Sequence, residues 1–384
     1  VSSEGTPAEV PEVSQQPPAA GVVVEALGVP IGIPVSGEAA ARLRRQWSRA
    51  LTDSPAATVV DLTQLDTDDE VAHDYAVTSR VTLAALDATA GRRINLHAGA
   101  VADEQGRALV VIGPSGSGKT TAVQLLARRL GYLSDETTSV DDDLAVHPHP
   151  KPLSVITDRD APLVKHSLSP DDLDLLRPPP STHAHRVVLL HRGDAEVGPV
   201  PVTPAHAIAE IVAQTSSLAR LEHPVRRLAD MIDACGGVWA LNYREVEHWL
   251  DDLVGLLDVE GRPPLPRRHH PHPGAHAGPD AGPDAGPDAG PAAGGEGGSP
   301  GAWSRTPWRD AVEYDDELVL MVDSRVHVLA GLGVVLWLAL ETPLTADRLV
   351  ADVQELWGAH PDAATLVGEA LGLLAAEGLL RAPA

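Results

Sequence analysis

The run Gly113-Pro114-Ser115-Gly116-Ser117-Gly118-Lys119-Thr120-Thr121 places a lysine and a hydroxyl directly after two glycines that bracket four residues. Glycine at such positions lets successive backbone N–H groups curl around phosphate oxygens, because a Cβ would block both the φ angles and the close approach. An apolar stretch, Arg107 to Ile112, precedes the run. Helical spacing of Ala122, Leu125, Leu126 and Leu130 follows it. The pattern is therefore strand, loop, helix, and the helix aims its positive end at the same anion. This is the phosphate-binding P-loop. Lys119 would bridge the outer phosphates and Thr120 would hold Mg²⁺, so ATP and Mg²⁺ are the expected cofactors. Lys119 is one of only three lysines among many arginines, and it sits where a compact ammonium is not easily replaced by a guanidinium.

Phosphoryl transfer also needs a base for the attacking hydroxyl and a further metal ligand. Asp135 and Glu136 follow the P-loop helix at the end of a short apolar stretch. In open α/β sheets the carboxyl ends of strands face the ligand. Asp135 is the expected base and Glu136 the expected metal-side carboxylate. Strand alternation suggests that only one of the two reaches the γ-phosphate, with Asp135 preferred. His97 lies in the apolar run Ile94 to Val101, where an isolated histidine reads as a core residue. Asp141 to Asp143 read as a solvated turn between the arms of a hairpin, 137–140 and 144–147.

The elements that must carry these residues are α/β in class. Strands are expected at 22–24, 57–62, 94–101, 107–112, 186–190 and 238–241, and helices at 37–51, 81–86, 204–213, 225–232 and 243–257. Residues 1–20 are rich in Pro, Ser, Glu and Gln and read as a disordered tail. Residues 21–261 form the ATP-binding domain. Residues 262–302 contain three Ala-Gly-Pro-Asp repeats and read as a linker spanning roughly 35 Å as a coil. His269, His270, His272 and His276 have metal-ligating chemistry, but the low-complexity surroundings favour a solvated linker. Residues 303–384 form a small α+β domain resembling a winged helix. It has strands at 317–322 and 325–329 around an Asp323-Ser324 turn, then three helices. Thr345 is the expected N-cap of the second.

The net charge of −25 argues against a nucleic-acid partner, since backbone binding needs clustered cations. The last two helices carry too few cations to read a groove. No apolar run is long enough to span a bilayer. Cys235 is the only cysteine, so there is no disulfide framework. These features, with no signal-peptide pattern in residues 1–20, suggest a cytoplasmic chain with no membrane partner.

Leu96-His97-Ala98-Gly99, the P-loop, its helix and Asp135-Glu136 occur in the order found in the kinase domain of HPr kinase/phosphorylase, and residues 96–140 resemble that family. The resemblance implies that His97 is an active-site residue, that Asp135 is the base or acid, and that Glu136 takes the metal-side role. The His-to-Gly spacing is looser by one residue here, and the family's later glycine-containing signature has no match. Residues 310–381 are similar to the PqqD family of peptide chaperones, the RiPP recognition element. That likeness rests on Arg325-Val326-His327-Val328-Leu329, the Leu-rich helix, the run Thr345 to Leu356 and Glu377-Gly378-Leu379-Leu380. It implies that the leader of a ribosomal precursor peptide adds to a strand edge, at 325–329 or the strand beside it. Together the resemblances imply an ATP-dependent kinase acting on a Ser or Thr hydroxyl of a leader-bound peptide. The alternative is a nucleotide-dependent peptide chaperone or regulator without kinase activity, working with other modifying enzymes. An HPr-directed kinase fits the appended domain less well. A homo-oligomer is compatible with either.

Overall fold

The computed structural model describes residues 21–63, 65, 67, 69–156, 165–272 and 301–383. The expected tail and residues 273–300 of the expected linker, His276 included, lie outside them. The described residues are mixed α/β and fall into two compact units. One is drawn from Val1–Ala85 with Lys151–Leu173, the other from Leu86–Pro150 with Asp174–Ala384. No helix among the described residues is long and apolar enough to cross a membrane.

The first unit opens with β1 (Val22–Ala26) and β2 (Val29–Ile33), an antiparallel hairpin. Its two turn residues, Leu27 and Gly28, both have positive φ, the geometry that matches the twist of paired strands. α1 (Gly37–Gln46) stops short of the expected Leu51 and buries Leu43, with Trp47 fully buried just after it. β3 (Thr58–Val59) pairs parallel with β2. α2 (Glu70–Thr89) is far longer than the helical stretch expected at 81–86, and Val77, Val81 and Ala85 form its fully buried stripe. Asp74 of this helix is buried and gripped by Arg42 Nε at 2.9 Å and Nη2 at 3.0 Å, with Gln46 at 2.7 Å.

The second unit begins with β4 (Ile94–Leu96) and β5 (Ala98–Ala102), then β6 (Arg107–Ile112), α3 (Lys119–Leu126), β7 (Gly131–Ser134), β8 (Thr138–Val140) and β9 (Val146–His147). The chain next gives the first unit a hairpin, β10 (Leu153–Ile156) with β11 (Lys165–Leu168). It resumes with β12 (His183–Arg192), β13 (Val197–Val202), α4 (Pro204–Val212), β14 (Thr215–Ser216), α5 (Pro224–Ala234), β15 (Val238–Tyr243) and α6 (Leu250–Gly255). The central sheet runs β13-β15-β12-β6-β5-β7. β6 is parallel to β12, while β5 runs antiparallel to both β6 and β7. Ala108 to Ile112 are at most 1 % exposed, which is why β6 reads as a continuous apolar run instead of an alternating one.

The C-terminal part comprises β16 (Arg268–His269), β17 (Ala302–Arg305), β18 (Asp310–Tyr314), β19 (Glu317–Val322), β20 (Arg325–Ala330), α7 (Leu332–Ala339), β21 (Leu344–Thr345), α8 (Ala346–Trp357), α9 (Ala363–Ala376) and β22 (Leu380–Arg381). The hairpin and three helices are as expected, and the Thr345 hydroxyl accepts from the Arg348 N–H at the start of α8. Two features differ from the sequence reading. Arg268 and His269, assigned to the linker, pair with Glu313 and Val312 as an edge strand of the sheet β16-β18-β19-β20. That sheet is also covered on both faces. Ala311, Leu318 and Leu320 pack into the α7–α9 core with Leu336, Trp337, Leu349 and Leu371. Val312, Tyr314, Val319 and Met321 join the buried cluster of α4 and α5, with Ile208, Ile211, Leu228 and Ile232. Alternation along two strands thus serves two cores at once.

Candidate active site

Three chain segments meet at one edge of the central sheet because of strand direction alone. The P-loop leaves the C-terminal end of β6. β7 is parallel to β6 through the intervening antiparallel β5, so Asp135 leaves the sheet at the same end. β5 runs the other way, so His97 enters it there. The register pairs Ala98 with Ile112 and Ala100 with Ser134.

Gly116 and Gly118 have φ of +84° and +87°, conformations that L side chains rarely adopt. A Cβ on Gly113 would lie 2.6 Å from Ser117 Oγ and 3.0 Å from the Leu190 carbonyl oxygen. Pro114, Ser115 and Gly116 are exposed, Gly118 and Thr120 are half-buried, and Thr121 is exposed. The Ser117 hydroxyl is buried without a hydrogen-bond partner. Lys119 is 7 % exposed, and its Nζ donates to the Gly113 carbonyl at 2.6 Å and the Pro114 carbonyl at 3.1 Å. An ammonium has three protons to give, so one remains for an anion. Burial holds the Lys119 pKa below its ordinary value, opposed by the carboxylates of Glu136 and then Asp135.

The carboxylates of Glu136 and Asp135 both oppose the effect of burial on Lys119, although one of the two is buried and the other exposed. β7 ends at Ser134, whose Oγ accepts from the Glu136 and Thr137 N–H groups at 3.3 and 3.1 Å. Beyond a side-chain-capped turn the strand rule no longer applies. Asp135 is 4 % exposed and takes a hydrogen bond from the Tyr132 hydroxyl at 3.1 Å, while Glu136 is exposed.

His97 is half-buried and falls in a break that splits the expected single strand. β4, before it, belongs to the sheet β14-β4-β8-β9, and β5, after it, to the central sheet. Its N–H donates to the Gln214 carbonyl at 2.6 Å. Gly99 explains the small residue after the histidine. A Cβ there would sit 2.3 Å from Val123 Cγ2 of the P-loop helix and 3.6 Å from Asp135 Cα.

Tyr243, at the end of β15, was not singled out by sequence. The expected helix from 243 to 257 is instead the end of a strand, a 3₁₀ turn at Val246–Trp249 and α6. The Tyr243 hydroxyl donates to the Ser117 carbonyl. A Cβ on Gly118 would lie 2.9 Å from that hydroxyl. The contact spans 126 residues of sequence, and no local pattern could have disclosed it.

Asp141 to Asp143 form a turn with Asp142 and Asp143 exposed, as expected, and side-chain contacts hold it in place. Asp141 accepts from the Ala145 N–H at 2.9 Å and meets His147 Nε2 at 2.8 Å, and Asp142 pairs with Arg227. The expected peptide-binding residues lie on β20, the last strand of its sheet. Arg325 is exposed, Val326, His327 and Val328 are half-buried, and Leu329 is buried. Among the described strands β20 pairs with β19 alone. No protein-family model matches this chain, and no curated relative matches it.

Proposed function

We propose that the chain is an ATP-dependent phosphotransferase of the HPr kinase-like type that acts on a Ser or Thr hydroxyl of a ribosomally made peptide, in the cytoplasm. The observation that carries this reading is the meeting of the P-loop, Lys119, Asp135, Glu136 and His97 at one edge of the central sheet. Residues 113–121 supply the phosphate cradle, and their glycine conformations and the spare Lys119 proton suit an anionic ligand. Thr120 and Glu136 would hold Mg²⁺, which supplies charge neutralisation at the transferring phosphoryl group. Asp135, oriented by Tyr132, takes the proton of the acceptor hydroxyl as its oxygen bonds to the γ-phosphorus. The bond to the bridging oxygen breaks and ADP leaves with that electron pair. His97 lines the acceptor side.

The acceptor class follows from β20. An edge left unpaired among the described residues, with half-buried side chains along it, suits an extended peptide leader of PqqD-type recognition, main-chain bonds giving affinity and pockets giving choice. The protein with ATP, Mg²⁺ and short precursor peptides from neighbouring genes should add one phosphate mass. Asp135→Asn should abolish that transfer while nucleotide binding persists. If Asp135→Asn leaves phosphate transfer intact, the base assignment falls. If the wild-type chain binds ATP and peptide yet never transfers phosphate, it is the nucleotide-dependent chaperone instead.

A further inference from the structure

The geometry points to a divalent transition-metal site, of zinc type, formed by His223, His269 and Asp310 at the seam between the P-loop part and the C-terminal sheet. One nitrogen from each ring and one Asp310 oxygen lie within 4.8 Å of one another. The three residues come from segments far apart in sequence. His223 precedes α5, His269 is in β16, and Asp310 opens β18.

Asp310 is fully buried, and a buried carboxylate must be matched by partners. Its Oδ2 accepts from the Val225 and Arg226 N–H groups at 2.8 and 3.0 Å, the first turn of α5. Its Oδ1 meets His269 Nε2 at 2.6 Å. Helix N–H groups and one imidazole thus account for the carboxylate. They do not account for His223, whose Nε2 stands 3.7 Å from the exposed Glu222 carboxylate. Its Nδ1 stands 3.9 Å from the same Oδ1, too far for a hydrogen bond. Its ring stands at 84° to that of His269, centroids 4.9 Å apart, and its backbone is held at φ 47° to put it there. Two imidazoles turned toward one carboxylate oxygen are what a cation between them would gather.

The dimensions agree. Zinc sits about 2.0–2.2 Å from nitrogen and oxygen, which separates tetrahedral donors by about 3.4 Å. The contacts of 2.6 and 3.9 Å bracket that value. Two imidazoles and one carboxylate suit zinc better than magnesium, which prefers an all-oxygen shell. Both rings keep about a fifth of their surface exposed, 19 % and 23 %, leaving room for a water as fourth ligand. His223 also lines a cavity of about 570 Å³ with Asp142, Glu222, Arg226 and Arg227, an entry path for an ion. The site would staple β16 and β18 to α5. It is independent of the reading of the P-loop, whose residues it does not share.

The test uses the full-length chain, stripped with chelator and dialysed without nucleotide. Titration with Zn²⁺ alone should give one ion per chain by calorimetry and elemental analysis, and should raise the thermal midpoint. Co²⁺ should give the visible absorption of a tetrahedral site. His223→Ala removes a ligand without touching the Asp310–His269 pair, and should weaken Zn²⁺ binding by roughly a hundredfold while the metal-free midpoint stays close to wild type. His269→Gln should do the same while keeping a hydrogen-bonding group. The double variant His272→Ala/His276→Ala should bind as wild type. Absence of stoichiometric Zn²⁺ binding overturns the assignment. So does binding that survives His223→Ala and His269→Gln, or that is lost in the His272/His276 variant.

Discussion

Gly99 is the residue on which the site's compactness depends most visibly. Its missing Cβ lets the P-loop helix and the Asp135 turn approach the same strand. Gly99→Ala must displace Val123, a stiff branched side chain, or the Ser134 carbonyl 3.3 Å away. We expect a loss of about 1–3 kcal/mol by denaturant unfolding and weakened nucleotide binding. Gly99→Ala/Val123→Ala should recover most of both, because the second change empties the space the first one fills. No recovery would mean that the glycine serves something other than this approach. Tyr243→Phe tests the other wall of the loop. Losing its bond to the Ser117 carbonyl should cost about 1 kcal/mol, read as roughly fivefold weaker nucleotide binding with the fold intact. The P-loop was legible because its chemistry is written in consecutive residues. Tyr132 and Tyr243 were not. One acts through a buried bond to Asp135, and the other reaches the loop from a strand with no local motif.

At the scale of elements, periodicity found the buried faces better than the ends. β6, α3, α4, α5 and the hairpin β19–β20 stand close to where the apolar pattern puts them. The run 94–101 did not divide in the sequence, because both its halves are apolar. Only the separate partners, β8 and β14 for one half and β6 and β7 for the other, break it at His97. α2 was underestimated for the opposite reason. Its buried face carries a charge, Asp74, that makes sense only with Arg42 from α1 opposite. That pair gives a pH-dependent prediction for the first unit. Burial pushes the Asp74 carboxyl up, but its bonds to Arg42, Gln46 and His73 outweigh this and leave it below its ordinary 3.8. A carboxyl lowered on folding stabilises fully above 3.8, and that stability is lost as pH falls through the lowered value. Arg42→Ala removes the counter-charge and leaves desolvation dominant, so the sign reverses and protonation favours the fold. Acid titration followed by hydrogen exchange in β1 and α1 should show protection lost in the wild type as pH falls through the lowered value, and held in the variant. At neutral pH the variant should be less stable by about 3 kcal/mol. An unchanged acid profile would remove Asp74 from the account.

For the whole molecule, the question is whether the C-terminal part is a bead on a string. Composition alone suggested a long flexible tether that would raise the local concentration of a bound peptide. The packing changes that expectation for the described residues. Val312, Tyr314, Val319 and Met321 lie in one cluster with Ile208, Ile211, Leu228 and Ile232, and Asp310 caps α5 with two hydrogen bonds. β20 would therefore present a leader at a set position relative to the P-loop, and specificity would depend on the span from leader to acceptor residue. A chain truncated after residue 261 should then lose stability, because it uncovers the α4 and α5 faces and leaves the first turn of α5 uncapped. Each of the four apolar side chains removed contributes about 1.5–3 kcal/mol when buried, so the loss should exceed that of any single substitution above. The truncated chain should melt well below the full one and bind a hydrophobic dye. Deleting residues 277–288, the repeats alone, should leave melting and nucleotide affinity almost unchanged, since loop closure varies only slowly with length. A truncated chain that melts as the full one does would return the C-terminal part to the status of a tethered module. Peptides carrying the acceptor at graded distances from the leader would decide the same point kinetically. A fixed β20 gives a sharp optimum in that distance, and a tether gives a broad one.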